Sequence, residues 1–235
     1  MNLLLLERAD LLPDGTARLT GRRLRHALEV LRAVDGDVLR VGLIGGPVGT
    51  AEVLRVADEE LVLRPSLDAP PPRPAIDLLL AIPRPKALRK VLPAAASLGV
   101  DRIALVNAAR VEKSYFASRV LEPDALRELL VLGLEQARDT RMPEVLIRER
   151  FRPFVEEELD ALWPQTRRLV ADPSASAAPS RDSRRLLLAI GPEGGWVPFE
   201  IDLLVSRGFE RFTLGPRTLR VEVAVAYALG ALRGP

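Results

Sequence analysis

Gly191-Pro192-Glu193-Gly194-Gly195 is the stretch of this chain with the make-up of a ligand-binding turn. Glycine reaches backbone angles that other residues avoid, and it lets main-chain N–H and C=O groups come close to a bound molecule. The turn follows an apolar run of strand length, Leu186–Ile190, and leads to Pro198, a residue suited to the first turn of a helix. A second turn, Gly215-Pro216, leaves a short strand predicted over Phe212–Leu214 and enters an alanine-rich helix predicted over Leu219–Leu232. Units of this kind bind ligands at the carboxyl edge of an open α/β sheet, although turns of glycine and proline also serve as plain connections. GPEGG has neither the three spaced glycines of a dinucleotide site nor the Gly-Lys-Ser/Thr ending of a P-loop, so it does not argue for a phosphate cradle. Arg217 and Arg220 fall at the start of the predicted last helix, where the helix dipole disfavours cations. That placement points to a task outside the helix, such as gripping RNA or a carboxylate, with solvated arginines as the alternative. Glu193 has no evident packing role and reads otherwise as an exposed loop carboxylate. Glu135 and Arg138 stand three apart on a predicted helix, the spacing of an ordinary surface ion pair.

The remaining composition narrows the chemistry. There is no cysteine, which excludes disulfides, thiolate catalysis and cysteine zinc sites. A single histidine, His26, rules out a multi-histidine metal site, and no metal is expected. The formal charge is only +2, but the basic residues are nearly all arginine, whose planar guanidinium suits phosphates and bases. Met1–Leu6 is too short for a signal-peptide core, and no apolar run approaches membrane-spanning length. A cytoplasmic, soluble protein of 235 residues is the expectation, with no membrane partner.

The elements that must position these residues fall into two textures. Leu3–Leu6 suggests a strand, and Thr20 is a plausible N-cap for a helical pattern through Leu24, Leu28 and Leu31. Val38–Ile44, Gly49–Val56 and Glu60–Arg64 follow as short strands, which together predict a small barrel over residues 1–68. The proline-rich run 69–74 is the expected linker. From 75 to 235 apolar strands alternate with helical patterns, the signature of a parallel sheet covered on both faces. The strands are predicted at Ile76–Ile82, Ile103–Val106, Val145–Ile147, Arg168–Ala171, Leu186–Ile190 and Phe212–Leu214. The helices are predicted at Ala87–Leu98, Pro123–Arg138, Phe151–Leu162 and Pro198–Arg207. Asp172–Ser183, rich in Ser, Ala and Pro, is predicted as a mobile loop.

The C-terminal pattern resembles that of the RsmE-type 16S rRNA uracil-N3 methyltransferases of the SPOUT superfamily. Ile190 through Gly195 with Glu200 matches one block, and Leu214-Gly215-Pro216-Arg217-Thr218-Leu219-Arg220-Val221-Glu222-Val223-Ala224 matches the next at the family's separation. Weaker matches lie at His26, Val30, Leu31, Arg32, Gly36 and Asp37, at Leu98-Gly99-Val100 with Ile103 and Arg110, and at Glu135-Gln136 with Arg141 and Pro143. The chain departs from the family pattern at Ala94, Ser97, Asp139, Val221 and Val223.

The resemblance implies a SPOUT α/β domain with a trefoil knot, preceded by a PUA-like RNA-binding β-barrel. Methyl transfer from S-adenosylmethionine to N3 of a uridine in 16S rRNA of the small ribosomal subunit is the implied reaction. The implied cofactor site is backbone of three loops: Leu169, Ala171 and Asp172; Ile190, Gly191, Pro192, Glu193, Gly194 and Gly195; and Leu214, Gly215, Pro216, Thr218, Leu219 and Arg220. Arg220 is implied to orient the base or its oxyanion, and Glu222 to orient Arg220 or accept a proton. RNA contacts are implied at His26, Arg32, Arg110, Glu135, Gln136, Arg141 and Arg217, with His26 otherwise a structural histidine. A homodimer through the C-terminal domain is expected, because Leu219–Leu232 carries apolar or small residues on every side and is predicted buried all round. Alternatives are a SPOUT enzyme acting on another rRNA or tRNA nucleoside, an RNA-binding member without catalysis, or, more weakly, a nucleotide-binding enzyme that uses GPEGG for phosphate.

Overall fold

A computed structural model describes residues 3–178, 180 and 184–232. The chain divides into two compact units, Met1–Arg73 with Val131–Met142, and Pro74–Leu130 with Pro143–Pro235.

The first unit is built on a curled five-stranded sheet in the order β1-β3-β4-β5-β2. Its strands are β1 (Leu4–Leu6), β2 (Ala17–Leu19), β3 (Val38–Leu43), β4 (Val48–Val56) and β5 (Leu61–Leu67). β1 pairs with β3 in parallel, and the other pairings are antiparallel. Alternate residues point to one face, which buries Leu4, Leu6, Leu19, Val41, Val53 and Leu63 in a common core. The helix predicted after Thr20 is a short α1 (Gly21–Arg25) that widens into a π-type turn over His26–Val30. Thr20 occupies the N-cap position in extended conformation, but its side chain makes no capping bond. β5 continues through Pro65, which pairs with Ala51, rather than stopping at Arg64.

The second unit carries six parallel strands in the order β11-β9-β10-β6-β7-β8. In chain order its elements begin with β6 (Ile76–Ala81), α2 (Pro85–Ser97), β7 (Val100–Val106), the front of α3 (Pro123–Ala137), whose residues from Val131 on belong to the first unit, and β8 (Glu144–Arg148). α4 (Phe151–Pro153) then passes through a π-type turn (Phe154–Glu158) into α5 (Leu159–Leu162), so the single helix predicted there is broken. β9 (Arg167–Ala171), β10 (Leu186–Ile190), α6 (Pro198–Ser206), β11 (Phe209–Phe212) and α7 (Val221–Leu232) complete it. β6 and β10 are buried at every position, as central parallel strands should be. At the start of β6, the fully buried Asp77 accepts hydrogen bonds from Arg185 at 2.6 and 2.7 Å and from the Trp163 indole at 2.9 Å.

Two predicted elements shift. The strand expected at Phe212–Leu214 runs from Phe209 to Phe212, because Gly208 turns the chain straight out of α6. Its middle residues, Glu210 and Arg211, are exposed and charged, which hides it from an apolar search. The last helix begins at Val221, not Leu219, with the Arg220 carbonyl accepting the Val223 and Ala224 N–H groups. Arg217 therefore lies outside the helix, and its placement owes nothing to the dipole. α7 packs on α2 and is not buried all round, since Val223 and Tyr227 are 47% and 54% exposed. The loop predicted over Asp172–Ser183 has no strand or helix at Asp172–Ala178, while 179 and 181–183 lie outside the described residues.

Candidate active site

Three adjacent strands, β11, β9 and β10, end side by side, and the loops that leave them enclose one cleft. It holds about 650 Å³ of space unfilled by atoms, its open mouth included. Ala171, Asp172 and Pro173 line it after β9. Ile190, Gly191, Pro192, Glu193, Gly195 and Trp196 line it after β10. Leu214, Gly215, Arg217, Thr218 and Leu219 form the third wall, and Val221 and Ala224 of α7 close it. The sequence-predicted loops thus converge, with particular exceptions. Leu169 is buried inside β9, and Gly194, Pro216 and Arg220 are not on the wall.

Hydrogen bonds fix the ends of β9 and β11 to each other and close the GPEGG turn on itself. Asp172 N–H donates to the Phe212 carbonyl at 2.9 Å, and Gly195 N–H closes the GPEGG turn on the Pro192 carbonyl at 2.8 Å. Gly195 and Gly215 have φ of +72° and +103°, the left-handed region that side chains disfavour, and a Cβ on either would meet no atom within 4 Å. Gly194 is different. Arg110 lies across it and donates to its carbonyl, and a Cβ there would stand 2.8 Å from Arg110 Cδ.

The charged groups at the mouth have defined partners. Glu193 accepts the Arg84 N–H at 3.1 Å and faces its Nε at 3.4 Å, the packing role that the sequence does not reveal. Burial pushes the Asp172 carboxyl up, but bonds from the Ser174 N–H and hydroxyl and the charge of Arg211 outweigh it and hold it below the usual carboxylate range. Glu222 is held low by its own backbone N–H and by Lys90 at 3.2 Å, with Arg220 adding to the effect. A carboxylate so stabilised is a weak proton acceptor, which favours an orienting or electrostatic part for Glu222. Arg217 and Arg220 are exposed, and their side chains form no hydrogen bond or ion pair among the described residues.

The more distant residues sort differently. Glu135 is buried, not on the surface, and is gripped by Arg22 at 2.9 and 3.2 Å. His26 is half-buried, and its Nε2 is enclosed without a partner among the described residues. Arg141 donates to the Pro71 carbonyl at 2.9 Å, while Arg32 and Gln136 are exposed. Pro173, Trp196, Val221 and Ala224 are the wall residues absent from the sequence-predicted site residues, and Trp196 is the largest of them. It stacks on Phe151 with centroids 5.4 Å apart, and its position directly after the glycine pair is the available signal. Among the described residues no cluster of side chains can hold a metal ion, and no helix is long and apolar enough to cross a membrane.

Comparison with known proteins agrees with this geometry. The RNA methyltransferase domain family matches residues 70–233. The ribosomal RNA small subunit methyltransferase E of Treponema pallidum is 32% identical over 97% of this chain and 89% of its own length. That of Mycobacterium bovis is 30% identical, covering 95% and 88%. Among solved structures, the methyltransferase E of Neisseria gonorrhoeae bound to S-adenosyl methionine superposes with a TM-score of 0.79. It covers 98% of this chain and 96% of its own at 23% identity, which speaks to fold alone. The carboxyl-edge cleft and the full-length matches together place this chain in the ribosomal RNA small subunit methyltransferase E family.

Proposed function

We propose that the protein transfers a methyl group from S-adenosylmethionine to N3 of a uridine in the 16S rRNA of the small ribosomal subunit. The observation that carries this reading is the convergence of three backbone-rich loops on one cleft, with two unpaired arginines, Arg217 and Arg220, beside it. S-adenosylmethionine supplies an electrophilic methyl group, and the residues present suit such a molecule. Exposed main chain at Gly195 and Gly215 leaves room for a flat purine or ribose, while Leu214, Leu219 and Val221 give apolar walls. Uracil N3–H is a weak acid, so its proton must pass to solvent water before the freed N3 lone pair takes the methyl group. Arg220 orients the base and stabilises negative charge on its oxygens. Lys90 and Glu222 form a pair that holds the start of α7, and with it Arg220, in place.

The finer architecture belongs to the same proposal. A trefoil knot is supported by the insertion of β10 between β9 and β6 and by the return of α7 onto α2. A PUA-like role for the first unit, as an RNA grip with Arg32, is supported by its curled sheet. A homodimer is supported by the exposed pair Val223 and Tyr227, one turn apart on α7. The setting is the cytoplasm, where the small subunit is found.

Nucleoside mass spectrometry of 16S rRNA from a strain lacking the protein tests the reaction. Loss of N3-methyluridine, restored by the wild-type gene but not by Arg220→Ala, is expected. Unchanged methylation refutes the assignment. Calorimetry with S-adenosylmethionine against ATP tests the site, with binding of the first alone expected.

A further inference from the structure

Between β7 and α3 the chain runs from Asn107 to Glu122 without strand or α-helix, broken only by short 3-10 turns at Lys113–Ala117 and Arg119–Leu121. Its residue types are those of a contact for single-stranded nucleic acid. Arg110, Lys113 and Arg119 are exposed cations, and Tyr115 and Phe116 are neighbouring, half-buried rings in a chain that uses tyrosine only twice. Lys113 and Arg119 have no ion-pair partner among the described residues.

This segment is fixed to the cofactor loop at its near end. Glu200, 3% exposed, accepts the Ala109 N–H at 2.6 Å with one oxygen and the Val197 N–H at 2.9 Å with the other. A buried carboxylate with both oxygens so engaged is costly to disturb. It ties the segment to the start of α6, and Arg110 then crosses Gly194 in the space a side chain would fill. Farther along, the Tyr115 hydroxyl donates to Glu112 at 3.1 Å. Loss of hydration, Glu112 and then Glu193 of the GPEGG turn push its phenol up.

We propose that residues 107–122 form a strap for single-stranded RNA beside the cleft, in which Tyr115 stacks on a base next to the target and Arg110, Lys113 and Arg119 take phosphates. The inference rests on the reading of the protein as an rRNA methyltransferase. A base stacked on a ring gains affinity whatever its identity, because every base has a π-face. The hydroxyl bond to Glu112 fixes the ring beforehand, and the Glu200 anchor sets its distance from the transferring methyl group.

Fluorescence anisotropy of the full-length protein with a labelled single-stranded oligouridylate, repeated across salt concentration, tests the strap. Tyr115→Leu should weaken binding about tenfold, while Tyr115→Phe, which keeps the ring, stays within about twofold. Lys113→Ala with Arg119→Ala should flatten the dependence of log affinity on log salt by about 1.4, from about 0.7 for each phosphate no longer neutralised. All three proteins should bind S-adenosylmethionine in calorimetry as the wild type does. Wild-type oligouridylate binding by Tyr115→Leu, with an unchanged KM for rRNA, overturns the strap alone. A wild-type protein that binds the cofactor but no RNA overturns the strap together with the reading beneath it.

Discussion

Gly194→Ala separates the two reasons a glycine can stand in the GPEGG turn. Gly194 is not in the left-handed region, so alanine costs the backbone little and its effect falls on the neighbour. The new Cβ would stand 2.8 Å from Arg110 Cδ. Ordinary carbon contacts lie near 3.5 Å or beyond, so Arg110 must withdraw by roughly 0.7 Å or more and loses the Gly194 carbonyl. A hydrogen bond to a charged group is worth about 1.5–3 kcal/mol. Arg110 is exposed, so about 1 kcal/mol is the fitting figure, equal to about a fivefold loss. Methylation kinetics with rRNA should show this loss in kcat/KM, while calorimetric affinity for S-adenosylmethionine changes by less than about twofold. In an Arg110→Ala background the same alanine should be nearly silent, because the side chain it displaces is gone. An equal loss in both backgrounds would refute the idea that Arg110 is what Gly194 accommodates.

Other outcomes follow from neighbouring geometry. Gly195→Val and Gly215→Val place a β-branched residue at φ of +72° and +103°, a strain of roughly 1–3 kcal/mol, and should cut calorimetric cofactor affinity at least about tenfold. Glu193→Gln should weaken it only about threefold or less. Tyr227→Arg, at a site 54% exposed, should turn a dimer seen by light scattering at micromolar protein into a monomer; a wild type that is already monomeric and fully active removes the dimer. Ala228 is fully buried within the chain, so Ala228→Arg would unfold it and cannot report on a partner. Asp172 is held below 3.8 in the folded protein, so its stabilisation is complete above that pH and disappears as pH falls through the lower folded value. The stability gap between wild type and Asp172→Asn, about 1 kcal/mol in urea melts, should therefore be flat from about pH 5 to 8 and close below about pH 4. Arg22→Ala leaves the Glu135 carboxylate buried and unpaired; with Arg22 itself 40% exposed, the loss should be about 2 kcal/mol, or roughly 4–8 °C in Tm.

The parts legible in the sequence are those whose residues answer to local rules. β6 and β10 announce themselves as unbroken apolar runs, and two of the three loops that line the cleft, at Gly191–Gly195 and Gly215-Pro216, by glycine and proline at strand ends. β11 escapes because an edge strand can carry Glu210 and Arg211, which here serve Arg167 and Asp172. The three-residue β2 is too short for any alternation to register. Helical spacing pairs Glu135 with its neighbour Arg138, whereas its partner Arg22 stands far off in sequence, and spacing along a helix carries no information about such pairs. Trp196 and Glu200 are in plain view but without a task, since only the folded loops show that one lines the cleft and the other ties down Ala109.

The first unit is not continuous along the chain, because Val131–Met142 belongs to it as much as residues 1–73 do. Synthesis delivers the chain from its N-terminus. When Arg73 has left the ribosome, Leu3 N–H still lacks the Glu135 carbonyl, Arg22 lacks the Glu135 carboxylate, and the Gly46 carbonyl lacks the Thr140 hydroxyl. The unit can be finished only after position 142 has emerged, by which point β6, α2 and β7 are already made. The nascent protein therefore holds one unit open while it begins the other. For the same reason the proline run at 70–72 is not a seam at which recombination could exchange the front of this protein as a cassette.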